Sequence, residues 1–239
     1  MRTIFKYVDW SAQAMKLSMV AIMLFIAPAI CAQDFKQALL NMQKEYGAEG
    51  RMHIVMSIKA FEKKSAKAPF YSQKAEIKKD DQNYFYQLGV NDMLLNEKYL
   101  LMIDHSTKQI ICNKNNLKSM SGFKDPFKMN VDSLLTAYGE SSFAGRANEI
   151  DHYKIIHAKG AIKQTDMFFS VKTNLLHKIE YSYENDQLVV IDFEVFDKEP
   201  TFEANQFDEG KYMIVMNGTR KPAQAYQQYK IIDAQQAVR

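Results

Sequence analysis

Apolar and polar positions alternate along the chain in a pattern that predicts one helix, a run of strands, a short helix and a second run of strands. Phe35, Ala38, Leu39, Met42 and Tyr46 recur at helical spacing. Asp34 stands where an N-cap belongs, Gln37 follows three residues later and Gly47 closes the segment, so residues 34–46 predict an amphipathic helix. After Gly50 the period drops to two: Met52, Ile54, Met56, Ile58 and Ala60 alternate with His53, Val55, Ser57, Lys59 and Phe61, the pattern of a strand. A polar break over 62–69 ends it. Strands are then predicted over 70–79, 83–90, 98–104 and 108–114, the last two joined by His105-Ser106-Thr107, a connection short enough for a hairpin. Residues 115–129 lose the periodicity but keep Met120, Phe123 and Phe127. Residues 130–138 predict a short helix with Leu134, Leu135 and Tyr138 together and Gly139 after its end.

The C-terminal half alternates more cleanly. Tyr153, Ile155 and His157 oppose Lys154 and Ile156; Met167, Phe169 and Val171 oppose Ser170 and Lys172. Ile179, Tyr181 and Tyr183 oppose Lys178, Glu180 and Ser182, and Val189, Ile191, Phe193 and Val195 oppose Asp192 and Glu194. One apolar and one wet face, repeated over successive strands, predict an antiparallel meander open to water on one side. Asn185-Asp186 marks its last tight turn. Residues 212–216 and 229–232 are candidate terminal strands, separated by Asn217-Gly218 and Pro222. The fold class expected is α+β, in one domain over 33–239 with a C-terminal extension from about 211.

Residues 17–30 (LSMVAIMLFIAPAI) carry no charge and follow Lys16. A membrane span needs about 20 apolar residues, so this shorter run reads as the core of a secretory leader. Cleavage is expected after Ala32, making 1–32 the signal peptide and Gln33 the new N-terminus, although Ile30 is larger than the residue usual three positions before the cut. Cys31 raises a lipoprotein alternative, but Pro28-Ala29-Ile30 lacks the Leu and small residue expected before a lipidated Cys. Met15-Lys16 begins a compact leader by itself, so translation is expected to start at Met15, with 1–14 an upstream extension. The expected location is the periplasm.

Export changes the charge and cysteine balance. The formal charge of the whole chain is +3, and removing residues 1–32 takes away Arg2, Lys6, Lys16 and Asp9 and leaves it near +1. Neither value steers anionic partners, and the basic residues do not cluster, so no nucleic-acid partner is expected. Cys112 alone survives cleavage, which excludes an intrachain disulfide, and its apolar setting (Ile110-Ile111-Cys112) predicts a buried thiol.

Enzyme chemistry is not indicated. The five histidines (His53, His105, His152, His157 and His177) form no H-E-x-x-H and lack a second cysteine for a zinc set; G-x-S-x-G and the glycine-rich phosphate loops are missing too. No catalytic residue, metal or cofactor is therefore expected. Asp104-His105-Ser106 reads as turn chemistry, as does Asn217-Gly218-Thr219. Asp80-Asp81 and Asp208-Glu209 read as solvated turn flanks, and Lys63-Lys64 with Lys78-Lys79 as a small basic patch.

The remaining signal is apolar. Leu100 and Met102 oppose Tyr99, Leu101 and Ile103, and Tyr84, Tyr86 and Leu88 oppose Phe85, so these strands are apolar on both faces. The cover foreseen is the N-terminal helix plus the 120–138 segment. Ten methionines remain after the leader; flexible and polarizable, they suit either a closed core or a cavity for loosely shaped acyl chains. Both readings stay open on the residues alone.

This element order resembles the periplasmic outer-membrane lipoprotein carrier family (LolA-like) over roughly residues 34–210. Within it, Ala75-Glu76-Ile77-Lys78-Lys79 resembles the strand before that family's Arg-Pro, Asn96-Glu97-Lys98-Tyr99-Leu100-Leu101-Met102-Ile103-Asp104 its Asp-Gly-Lys hairpin strand, and Lys108-Gln109-Ile110 the return strand. The resemblance implies a strongly curved antiparallel sheet, an incomplete β-barrel, covered by the N-terminal helix and a short helical lid over a hydrophobic cavity for acyl chains. The chain departs from the family at Lys79-Asp80, which replaces Arg-Pro, at Phe202 and Phe207, which echo a Phe-x-Phe-x-Pro-Pro ending faintly, and in the 211–239 tail, which has no assignable counterpart.

The function expected is non-enzymatic binding of a lipid or the acyl chains of a lipoprotein. The cavity wall is assigned to Met56, Ile58, Tyr84, Tyr86, Leu88, Leu100 and Met102, and the lid to Phe123, Phe127, Leu134 and Leu135. Expected partners are a lipid or lipidated protein, with inner- and outer-membrane envelope proteins as further candidates. The alternative is a LolA-like interaction or assembly protein of the envelope, its interior filled, presenting an edge strand or its tail and carrying no lipid.

Overall fold

The computed structural model describes residues 35–47, 50–114 and 130–234. The expected leader (1–32) and the aperiodic segment with Met120, Phe123 and Phe127 lie outside these residues. Helix α1 (residues 35–47) precedes six strands: β1 (Arg51–Phe61), β2 (Tyr71–Asp80), β3 (Asn83–Leu88), β4 (Asn91–Leu95), β5 (Tyr99–Asp104) and β6 (Gln109–Lys114). Helix α2 (Val131–Tyr138) follows, then β7 (Glu140–Ala147), β8 (Ile150–Ile156), β9 (Ile162–Ser170), β10 (Leu176–Tyr183) and β11 (Leu188–Asp197). The C-terminal segment adds a hairpin, β12 (Met213–Met216) with β13 (Thr219–Pro222), and β14 (Lys230–Asp233).

Twelve strands form one curved, unclosed sheet in the order β14-β6-β5-β4-β3-β2-β1-β11-β10-β9-β8-β7. Strand β1 is the seam. It pairs along nearly its whole length with β2 on one side and β11 on the other, joining two meanders that each run through tight turns. All pairings within this sheet are antiparallel except β14 with β6, which is parallel and departs from the simple meander expected. Asp81, Lys108, Asn174 and Asp186 take left-handed backbone at the turns. At the β3–β4 turn Gly89 has φ +58°, which favours glycine, and the end of the Gln73 side chain fills the space where a Cβ would stand.

Three strands were not foreseen, among them β13, whose Pro222 was read as a separator between the two terminal strands. Strand β4 is short and follows β3 after only a two-residue turn, so its Met93, Leu94 and Leu95 gave no separate period. Strand β7 (ESSFAGRA) consists largely of small residues without alternation. Another departure sits at β11, where a bulge opposite Val55/Met56 lets Phe193 pair with Met56 and Val195 with Val55. Val195 consequently leaves the face of Ile191 and Phe193.

Register assigns every side chain to one of two faces. The first holds α1, whose Phe35, Leu39, Met42 and Tyr46 are buried against Met52 and Ile54 of β1, Tyr153 and Ile155 of β8, and Met167 and Phe169 of β9. Each such side chain contributes about 1.5–3 kcal/mol on burial. Asn130 caps α2 by accepting from the Ser133 amide at 3.0 Å, and Lys36 of α1 pairs with Asp132 of α2 at 2.7 Å. Val131 and Leu135 of α2 enter the same core.

The second core lies on the opposite face of β3–β6, for which sequence reasoning foresaw as cover only the N-terminal helix and the 120–138 segment. Phe85, Leu94, Leu101, Ile103, Ile110 and Cys112 are buried there under Tyr212 and Met213, with Phe207, Tyr226 and Tyr229 packed around them. The C-terminal segment, not a lid, satisfies this second set of apolar residues. Asn96 donates to the Phe207 carbonyl at 3.0 Å and to Glu209 at 2.8 Å, and Lys98 pairs with Glu209 at 2.8 Å. Glu209 is therefore an anchor rather than a solvated turn flank.

Candidate functional site

Strand register places all seven wall residues on the face that carries α1. Tyr84 stands opposite Lys79 and Leu95, Leu95 opposite Leu100, Met56 opposite Ala75, Ala75 opposite Leu88, and Ile58 opposite Gln73. Their backbone is set by alternation, because residues two apart share a side of the sheet. A continuous cross-strand row runs through them: Phe196, Ile54, Ile77, Tyr86, Met93, Met102, Ile111 and Ile232. Sequence reasoning missed Ile77, Met93 and Ile111. Ile77 and Ile111 were legible from alternation once register was known, whereas Met93 sits on the unforeseen β4.

Exposure along this row is lowest at Ile54 and highest at Met102. Ile54, under α1, is 1% exposed, Tyr86 and Met93 are half-buried, and Met102 is 50% exposed. Leu88, beside the β3–β4 turn, is 45% exposed, while Met56, Ile58 and Leu100 are half-buried and Tyr84 is buried. The helix thus seals the β1 side of the face and leaves an apolar slope over β3–β5. The opposite side of these strands is sealed by the chain's own C-terminal segment, so their exposed apolar side chains on the α1 face are Leu88 and Met102, beside buried Tyr84 and Leu95.

The four lid residues divide. Phe123 and Phe127 lie outside the described residues, and so does the side chain of Leu134, although its backbone is in α2. Leu135 packs into the α1 core. Lys79, where the resembled family has Arg, is buried on the α1 face with its ammonium 6.0 Å from the centre of the Tyr84 ring. Lys78 points to the other face and pairs with Glu76 at 3.2 Å. Adjacent strand residues cannot share a face, so Lys78-Lys79 forms no basic patch.

The opposite face of β1, β2 and β8–β11 is an ionic lattice. His53 pairs with Glu76 (2.7 Å), Lys59 with Asp192 (3.2 Å), Lys74 with Glu194 (3.1 Å) and His152 with Asp166 (2.7 Å). A cleft of about 580 Å³ separates α1 from β7–β9, floored by Phe143, Tyr153 and Phe169 and rimmed by Asn41, Arg146 and Asp151. Another, of about 560 Å³ and lined by Arg51, Asn83, Lys98 and Glu203 among others, is mostly polar. Neither involves any of the seven wall residues.

Titratable groups point to structure. Hydrogen bonds from Ser106 and Thr107 hold the Asp104 carboxyl far below the usual range, as the turn reading of Asp104-His105-Ser106 requires. Burial pushes the Cys112 thiol up, the reverse of what activates a nucleophile. His152 and His157 face opposite ways, toward Asp166 and Thr165 respectively. Among the described residues no group of three or more His, Cys, Asp or Glu could hold a metal ion, and no helix is long and apolar enough to cross a membrane.

No protein-family model and no curated protein matches the chain. Its fold is similar to that of several solved structures. One is an uncharacterized conserved protein from Thermus thermophilus, at 8% identity and TM-score 0.47, covering 74% of this chain and 93% of that one. A LolA superfamily protein from Nitrosomonas europaea, the likeness named from the sequence, is among them at 9% identity and TM-score 0.33, covering 75% and 98%. The MucA/MucB complex of Pseudomonas aeruginosa is another, at 12% identity and TM-score 0.41, covering 79% and 74%. Such identities leave function to be read from the chain's own residues.

Proposed function

We propose that the chain is a periplasmic, non-enzymatic carrier that holds the acyl chains of a lipid or lipidated protein against the α1 face of β1–β6. The observation that carries this reading is the apolar row that opens from buried Ile54 to half-exposed Met102 before Ile111 and Ile232 are half-buried again, on strands whose other face is already covered by the protein itself. Methionine and tyrosine side chains there accommodate a flexible chain without a fixed shape. Each methylene buried is worth about 0.8 kcal/mol, so about ten of them give a gross 8 kcal/mol, micromolar affinity before ordering costs.

Titration of the processed protein with a fluorescent fatty acid tests this. The wild type is expected to bind, and Leu88→Asp/Met102→Asp to bind at least tenfold more weakly with an unchanged unfolding midpoint. A wild type that ignores the probe, or a variant that binds as well, contradicts the proposal.

The alternative, an envelope interaction protein without lipid cargo, draws support from β7, whose outer edge pairs with no strand among the described residues. Its tail version is disfavoured, because β14 is hydrogen-bonded to β6 and Tyr212, Tyr226 and Tyr229 are packed on the sheet.

A further inference from the structure

The β12–β13 hairpin belongs to neither core beyond its base. Met213 is buried, yet Ile214, Val215 and Met216 are 42%, 52% and 51% exposed in succession. Successive strand residues point to opposite sides, so the hairpin is exposed and apolar on both. Pairing places Val215 opposite Arg220, and Ile214 and Met216 opposite Lys221 and Thr219. The Met213 and Arg220 side is the one anchored to the body: Arg220 forms an ion pair with Asp233 of β14, and its guanidinium lies 5.6 Å from the Tyr99 ring centre. Val215 shares that side but is half-exposed, so the distal half projects past the body. Asn217 and Gly218, both at positive φ, form a tight tip.

Charge around the hairpin is one-sided. Lys211, Arg220 and Lys221 are its ionised groups, with no acid between 210 and 222. The acids near its base are engaged: Asp233 with Arg220, Glu209 with Lys98 and Asn96, and Asp208 with the Gly210 amide. Lys211 and Lys221 remain exposed.

We infer that this hairpin docks the protein on an anionic phospholipid surface, Ile214, Val215 and Met216 entering the headgroup boundary and Lys211 and Lys221 resting on lipid phosphates. A protein groove or an added strand would cover one side of the hairpin or one edge; a bilayer boundary solvates both apolar sides at once, and its negative potential matches the flanking lysines. This docking does not depend on cargo binding at the α1 face, and the two are separable by experiment.

The test uses the processed protein with vesicles of phosphatidylcholine, with and without phosphatidylglycerol. The sequence's only tryptophan, Trp10, falls within residues 1–32, which the processed protein lacks, so Met216→Trp reports the tip alone. Its emission is expected to shift to the blue with phosphatidylglycerol vesicles and to be quenched by brominated lipid. Ile214→Asp/Val215→Asp is expected to lose at least tenfold in vesicle co-sedimentation, and Lys211→Gln and Lys221→Gln about fivefold each, with fatty-acid affinity unchanged in all three. Tip emission that ignores the vesicles, or an aspartate variant that melts like the wild type and still sediments with them, overturns the inference. An aspartate variant that melts early leaves the Met216→Trp emission to decide.

Discussion

The His105 ring joins the sheet to the C-terminal segment: its Nδ1 lies 2.8 Å from the Tyr229 hydroxyl and its Nε2 2.9 Å from the buried Asp92 carboxylate. With the ring neutral, Nε2–H donates to Asp92 and Nδ1 accepts from Tyr229, so one side chain satisfies both. Tyr229→Phe is expected to cost about 1 kcal/mol in urea denaturation. His105→Ala should cost more, about 2–3 kcal/mol, because it also leaves the buried Asp92 carboxylate with only the Gln87 amide, 3.2 Å away, as side-chain donor. Equal costs for the two variants would mean that the Gln87 amide alone satisfies Asp92.

Ile54 and Met102 occupy the same apolar row as its most buried and its most exposed member. Ile54→Ala empties part of the α1 core and is expected to destabilise by about 2–5 kcal/mol. Met102→Ala removes a half-exposed side chain and should cost less than about 1 kcal/mol. Thermal or chemical unfolding of the two variants checks this. A large loss at Met102 would show that it is a core residue and that the apolar slope is closed.

Asp104 gives a pH dependence of known sign. Its carboxylate accepts from the amides and hydroxyls of Ser106 and Thr107, which lowers its pKa in the folded state. The stabilisation is therefore fully present above the ordinary aspartate value of about 4 and fades as pH falls toward the lower folded value. Asp104→Ala should be less stable than wild type at neutral pH, and the gap should narrow in denaturation curves taken progressively below that ordinary value. A gap independent of pH would remove the carboxylate from the explanation.

The faces were legible in the sequence wherever alternation was unbroken. Leu100 and Met102 against Leu101 and Ile103 were separated correctly because period two needs no knowledge of the partner strand. What alternation does not reveal is which cover meets which face. Tyr212, Tyr226 and Tyr229 lie more than a hundred residues after β3–β5 in a segment of turns and short strands, so nothing local marked them as the cover for Phe85 and Leu101. The β11 bulge escaped for a related reason: an extra residue shifts the pattern only relative to β1. Lys78-Lys79 was different, since alternation already separates neighbours and the patch reading ignored it. The seven wall residues could be grouped by chemistry, but their gradient from sealed to open depends on where α1 ends over the sheet.

Photolabelling with a diazirine-bearing fatty acid tests acyl binding on the α1 face most directly, because it reports position as well as affinity. Adducts are expected on Tyr86, Leu88, Met93 and Met102, which share one face, and none on their strand neighbours Phe85, Leu94, Leu101 and Ile103, which lie beneath the C-terminal segment. Adducts on the latter set, or labelling that unlabelled fatty acid does not compete away, would contradict it.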